Sequence, residues 1–187
     1  MNRHPKSWKK LSSNVLLKNV HLSIAEDIVL LPNGAKKTYV RFAPGQDRSV
    51  IVIALNSDNK ILIQKEYSYP PNKIMWQLPG GSVKSGESIK VAANRELAEE
   101  SGYSSKKVKV LGHFYTNNRL SDQKQYVVLS TELFAFKLPE DKDEFIDTFW
   151  LTKEEITTKI ASGEFDNINL LAALNLWFHV GEKVKVD

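Results

Sequence analysis

Glu96, Glu99 and Glu100 stand close together in the chain, with Arg95 beside them and Glu87 a little upstream. On a helix, positions three and four apart share a face, so these carboxylates crowd together if the segment is helical. Crowded carboxylates raise one another's pKa unless a counter-charge sits among them. A hard divalent cation supplies that charge through oxygen ligands, and Mg²⁺ is the usual choice when phosphates complete its shell. The chemistry indicated is therefore attack on a phosphate, where charge neutralisation matters more than covalent catalysis. A solvated acidic patch is the plainer reading of two adjacent glutamates, but the flanking residues argue against it. Arg95 can pair with Glu99 one turn on, or reach back to Glu87. The Gly80-Gly81 pair lets backbone approach closely before the helix begins. Gly102 follows the acids directly, where a left-handed turn ends a helix.

The elements that must position these residues are legible in outline. Ile89, Ala92, Ala93 and Leu97 recur at helical spacing and predict a helix from about Ser88 to Ser101, capped by Ser85 or Ser88. Upstream, SVIVIAL (49–55) and KILIQKEY (60–67) read as two strands of a hairpin turning through Ser57, Asp58 and Asn59. YPPNK (69–73) is loop by its prolines, and IMWQL (74–78) is a short strand leading into Pro79, Gly80 and Gly81. Strands are expected at VKVLGHFY, QYVVLSTELFAFKL and FIDTFWL, and terminal helices at TKEEITTKIAS and INLLAALNLWFHV. The first forty residues read as extended, with VLLKNVHLSIAEDIVLL, a turn at Pro32-Asn33-Gly34, and a returning strand KKTYVRF. APGQD (43–47) is a break before the main body. Strands around a central helix, closed by terminal helices, predict an α/β fold with a mixed sheet covered on both faces.

The 187 residues suit one domain with an appendage, and 42% apolar with 26% charged residues is ordinary globular composition. The net charge of +4 comes from scattered lysines, without the basic stripe of a nucleic-acid groove. Cysteine is absent, which excludes disulfides, thiolate catalysis and cysteine-bound zinc. The opening MNRHPKSWKK lacks the apolar core of a secretory signal, and no apolar run is long enough for a spanning helix. The expected location is the cytoplasm, with no membrane partner.

Gly81, Glu87 and the run Arg95-Glu96-Leu97-Ala98-Glu99-Glu100-Ser101-Gly102-Tyr103 together resemble the signature box of the Nudix hydrolases. Tyr103 stands where the family usually has an aliphatic residue. The resemblance implies a Nudix α/β/α sandwich over residues 47–187, preceded by a strand-rich extension, 1–46, that serves dimerisation. It implies hydrolysis of a diphosphate with Mg²⁺, or Mn²⁺ as an alternative. It makes Glu96, Glu99, Glu100 and the Gly80 carbonyl the metal ligands. Arg95 would orient these acids and Glu87 would hold Arg95. The general base comes by analogy from the loop PEDKDEF, which offers Glu140, Asp141, Asp143 and Glu144; Glu144 is preferred because it abuts the next strand.

The extension and KEYSYPP resemble the branch that cleaves ADP-ribose and nucleoside diphosphate sugars. Ser68 and Asn118 depart from that branch, which often has arginine and proline at these places. A sugar other than ribose, as in GDP-mannose, therefore stays open. Trp8 and Tyr69 are candidates to stack on a base, Arg119 to meet a phosphate, and Arg41 to join them if the extension folds over a pocket. For each, packing or surface is the plainer role. His21, His113 and His179 read as structural, and Trp76 as core. Alternative readings are a nucleotide-cleaning or RNA 5′-pyrophosphohydrolase, and a non-catalytic nucleotide sensor, which would normally have lost box acids.

Overall fold

The computed structural model describes residues 6–20, 22–43, 48–139 and 145–181. The chain divides into two compact units. One comprises Met1–Asp47 with Asn117–Gln123, the other Arg48–Thr116 with Lys124–Asp187.

The first unit is an antiparallel sheet of β1 (Lys9–Lys18), β2 (Ser23–Leu30) and β3 (Lys36–Phe42), with β2 in the middle. Strand β2 alternates buried Ala25, Asp27 and Val29 with half-exposed neighbours, the period-two pattern of a strand with one covered face. Segment 117–123 is tied to this sheet by the Phe42 N–H, which donates to the Leu120 carbonyl at 2.8 Å, and by the Tyr39 hydroxyl, which donates to the Arg119 carbonyl.

The second unit contains two sheets. The strands β4 (Arg48–Ala54), β5 (Ile61–Ser68), β6 (Lys73–Gln77), β7 (Gly80–Ser82), β8 (Tyr103–Tyr115), β9 (Lys124–Ala135) and β10 (Ile146–Leu151) form orders β7-β4-β9-β8 and β10-β5-β6. Strands β4 and β9 run parallel, so the four-stranded sheet is mixed. Helix α1 (Ile89–Ser101) buries Ala92, Ala93 and Leu97 against Val50, Val52, Leu62 and Val128. On the opposite side Leu170, Ala173 and Leu174 of α3 (Ile168–Leu176) share a core with Ile51, Ile53, Ile61, Ile63 and Trp76, joined by Ile156 of α2 (Lys153–Ala161). Both faces of β4 and of the start of β5 are thus covered, which is why these strands read as continuous apolar runs rather than alternating ones. Among the described residues no helix is long and apolar enough to cross a membrane.

The hairpin expected from SVIVIAL and KILIQKEY does not form. Strand β4 pairs with β7 and β9, strand β5 with β6 and β10, and only the isolated bridge Leu55–Ile61 links the two. A turn at Asn56–Asn59, with Asn59 at φ 58°, instead carries the chain from one sheet to the other. Strand β8 also begins earlier than expected, at Tyr103, because polar Ser104 and Ser105 pair with Phe134 and Leu133. The last helix ends at Leu176 and passes into a wider π-type turn over Trp177–Gly181.

Candidate active site

Ser88 starts α1: its side chain accepts the Val91 N–H at 3.3 Å. Gly102 stops it at φ 74°, a left-handed conformation suited to glycine, with its N–H directed to the Ala98 carbonyl. Between these ends the buried stripe of Ala92, Ala93 and Leu97 orients the helix, and the acids line the edge of that stripe. The wall opposite is β7. A Cβ at Gly80 would lie 2.1 Å from the Val50 carbonyl oxygen, and one at Gly81 would lie 2.6 Å from Glu96 Oε1. Glycine at both positions lets backbone occupy space that any side chain would fill.

Arg95 is the hub. Its Nε donates to Glu87 Oε1 at 2.9 Å and its Nη2 to Glu87 Oε2 at 3.0 Å, a bidentate pair. Its Nη1 donates to Glu96 Oε1 at 2.8 Å and to Glu99 Oε2 at 2.9 Å. Its Nη2 also reaches the Ser82 carbonyl at 2.9 Å, which ties α1 to β7. Glu87 in turn accepts the Lys84 N–H at 3.0 Å, and Lys84 Nζ stands 3.9 Å from Glu99 Oε1. Glu100 accepts the Gly80 N–H at 3.2 Å, which brings the last acid of the helix to the glycine pair.

These contacts split the protonation behaviour of the acids. The Arg95 hydrogen bonds hold Glu87 below the usual carboxylate range against the opposing effect of its burial. Burial pushes Glu96 up; Arg95 opposes the rise and the Glu99 charge adds to it. Arg95 itself is held more firmly protonated, chiefly by Glu87. Glu96 is thus a buried acid whose single guanidinium partner is shared with two other carboxylates, so additional positive charge would favour its ionised form.

Among the described residues no three acidic or histidine side chains converge as a closed cation cage; the acids converge on Arg95 instead. The donor chemistry nevertheless fits a hard divalent cation. The oxygens of Glu96, Glu99 and Glu100 and the backbone at Gly80 lie on neighbouring edges, and one guanidinium serves three of the surrounding carboxylates.

The structure brings Gly80, Glu87, Arg95, Glu96, Glu99 and Glu100 together. Glu144 lies outside the described residues, as do Glu140, Asp141, Asp143 and His21. Tyr69 is highly exposed in the turn between β5 and β6. Trp8, Arg41 and Arg119 belong to the first unit. There Trp8 meets Tyr39 edge-on at 6.0 Å, with Lys37 Nζ 5.4 Å from its ring centre. Arg41 pairs with Asp27 at 2.6 Å and borders a cavity of about 740 Å³ shared with Lys18 and Gln123. Trp76 is core, as expected. Sequence reasoning missed the Ser82 carbonyl and the Lys84 N–H, since backbone atoms leave no residue-type signal. It also missed the Gln77 side chain, which donates to Glu66 where β5 and β6 pair.

A fold of this kind, with a glycine-lined, arginine-organised row of glutamates on its central helix, defines a phosphate-handling hydrolase. The chain belongs to the Nudix family: the NUDIX domain model matches residues 45–174. It is a Nudix pyrophosphohydrolase, and its similarity falls in the branch that includes ADP-ribose pyrophosphatases. It is 34% identical to the ADP-ribose pyrophosphatase of Bacillus subtilis (strain 168), over 73% of this chain and 74% of that protein. It is 35% identical to the methanol dehydrogenase activator of Bacillus methanolicus, over 69% and 70% respectively. A crystal structure of an ADP compounds hydrolase shares the fold at a TM-score of 0.87 with 19% identity, covering 98% of this chain and all of that one. The family generally uses a divalent metal.

Proposed function

We propose that this enzyme hydrolyses the pyrophosphate bond of a nucleoside diphosphate sugar such as ADP-ribose or GDP-mannose, with Mg²⁺, releasing a nucleoside monophosphate and a sugar phosphate. The observation that carries the reading is the Arg95 hub, which gathers Glu87, Glu96 and Glu99 while Glu100 meets Gly80. Glu96, Glu99, Glu100 and the Gly80 carbonyl would hold the metal, with Mn²⁺ as a substitute. When bound, the metal supplies charge neutralisation on the phosphate oxygens and a more acidic water. Arg95 and Glu87 keep the acids aimed, and the low exposure of Glu87 and Glu96 keeps their bonds to Arg95 from being screened. In the reaction a water oxygen bonds to one phosphorus as the bridging P–O bond breaks. The bridging oxygen leaves with the other phosphate, and the water proton passes to a base, which we assign to Glu144.

Trp8, Arg41, Tyr69 and Arg119 are our candidates for contacts to base, sugar and phosphate. Residues 1–46 are assigned to dimerisation and 47–187 to the hydrolase domain. The exposed Val15, Leu16, Leu17 and Val20 in and after β1 support a homodimer, since such apolar surface favours a partner. The location proposed is the cytoplasm.

The test is a substrate panel of ADP-ribose, GDP-mannose, UDP-glucose, a dinucleoside polyphosphate and a nucleoside triphosphate, each with Mg²⁺ and with chelator. A nucleotide sugar should be cleaved fastest, and only with metal. Glu99→Gln and Glu100→Gln should each lose most turnover while remaining folded. Preference for the triphosphate would favour a nucleotide-cleaning role, and undiminished turnover in either variant would remove the ligand assignment. Light scattering after size exclusion should give a dimer; a monomer at micromolar concentration would refute that part.

A further inference from the structure

Gln64 lies in the middle of β5 with no exposed surface. Neither its amide nitrogen nor its amide oxygen has a hydrogen-bond partner among the described residues. Folded proteins leave few buried polar groups unpaired. Where protein atoms do not serve such a group, ordered water usually does.

The strand register says where that water would sit. Leu62 packs with Ala92, Ala93 and Leu97 of the acid-bearing helix. Side chains alternate along a strand, so Gln64 and Glu66 share the face of Leu62. Gln64 stands directly opposite Gln77 on β6, and opposite residues of an antiparallel pair share a face. Gln77 donates from its side chain to Glu66. Shortly after Gln77 the chain reaches Gly80, whose N–H meets Glu100. Glu66 in turn is paired with Ile146, the first residue of β10. Gln64, Gln77 and Glu66 therefore form a polar row on the helix side of the three-stranded sheet. Buried Gln64 and the Gln77 opposite it stand at the end of β6 that leads to Gly80, and the row runs from them along β5 to Glu66, on the side of the β5–β6 turn.

We propose that Gln64 is a positioning residue of the hydrolase: its amide holds one ordered water, shared with the Gln77–Glu66 pair, and this water fixes the segment that delivers Gly80 to the carboxylates. A bound water needs two to four polar partners, which these three side chains supply. The amide offers a donor and an acceptor at once, so an apolar residue of the same size cannot replace it. The role in turnover rests on the hydrolase reading above; the water site does not.

The experiment uses the full chain with Gln64→Met and Gln64→Leu, which keep volume and remove both polar atoms. It measures kcat and KM on the best substrate of the panel and the thermal midpoint. It adds a high-resolution crystal structure of the unsubstituted protein. Expected are a kcat lower by about tenfold or more, KM within about twofold, and a water within hydrogen-bond distance of the Gln64 amide. Wild-type kcat together with a raised midpoint would overturn the proposal, because it would show a dry amide that only destabilises. A structure with no water at the amide would overturn it as well. If both variants unfold, Gln64→Glu, isosteric and still able to hydrogen-bond, decides: kcat retained within about threefold supports the proposal and a larger loss refutes it. If the unsubstituted protein cleaves nothing in the panel, the hydrolase reading fails, and the crystal structure alone still tests the water site.

Discussion

Replacing Arg95 by lysine keeps the charge at the centre of the cluster and removes the fork. The guanidinium has five N–H donors, and each has an acceptor: Glu87 twice, then Glu96, Glu99 and the Ser82 carbonyl. An ammonium has three donors on one point, so at least two of these acceptors lose their partner. Hydrogen bonds to charged groups contribute roughly 1.5–3 kcal/mol each. Two lost bonds at the lower end give a destabilisation of about 3 kcal/mol, since the Arg95 and Glu96 side chains are only 14% and 12% exposed and water replaces the bonds poorly. If Arg95 orients the metal ligands as proposed, turnover should fall by about 10–100-fold. Equilibrium urea unfolding measures the first quantity, provided the slope stays that of the unsubstituted protein. Steady-state kinetics on the best substrate measures the second. A lysine variant within about 0.5 kcal/mol of the unsubstituted protein and fully active would refute the fork as organiser and reduce Arg95 to a simple counter-charge. Arg95→Met should be worse than the lysine variant on both measures, because three carboxylates then lose their shared cation.

Gly81→Ala should leave the fold intact and lower kcat about tenfold or more, because its Cβ would stand 2.6 Å from Glu96 Oε1 and drive that acid off Arg95; circular dichroism and kinetics read the two effects. Asp27 is held below the usual carboxylate range chiefly by its hydrogen bond to Arg41. Its folded pKa is depressed, so the stability it contributes is complete above the unfolded value of about 4 and is lost as pH falls through the folded pKa. Stability measured against pH should therefore decline more steeply below about pH 4 in the unsubstituted protein than in Asp27→Asn, and parallel curves would contradict the pairing. Trp76→Phe removes the indole N–H bond to Glu164 at 2.9 Å and part of the packing on Phe149 and Phe165; it should cost about 2 kcal/mol in urea unfolding and leave KM unchanged, because Trp76 belongs to the α3-side core.

What could be read from the sequence divides by range along the chain. The helix bearing the acids was legible because its cap, stripe and stop lie within one short segment: Ser88, then Ala92, Ala93 and Leu97, then Gly102. The pairing of Arg95 with Glu99 and Glu87 was legible for the same reason, as both lie within reach along or just before one helix. Strand partners were not. An apolar run such as SVIVIAL reports that both faces are buried, but its hydrogen-bonded edges go to β9, far along the chain, and to β7, a three-residue strand made of Gly80, Gly81 and Ser82. Neighbouring apolar strands with a short turn between them look like a hairpin whether or not they pair. The early start of β8 was hidden because Ser104 and Ser105 look like loop, while Ser105 is satisfied inside the sheet, its hydroxyl 2.6 Å from the Thr131 carbonyl and 2.7 Å from that of Lys107.

The same division explains why the site combines local and distant parts. Glu96, Glu99, Glu100 and their arginine come from one helix, so their mutual geometry survives small shifts of that helix as a whole. What the helix cannot supply alone is a wall close enough to hold Glu96 and Glu100, and two glycines on β7 supply it by removing side chains from the gap. That wall leaves Glu96 buried with its carboxyl pushed up, and the one guanidinium near it is shared with Glu87 and Glu99. A cluster meant only for stability would gain by protonating or replacing such an acid. Keeping it is consistent with a site in which added positive charge arrives with the divalent metal that the family generally uses: burial is what raises Glu96, and a cation beside it would favour its ionised form.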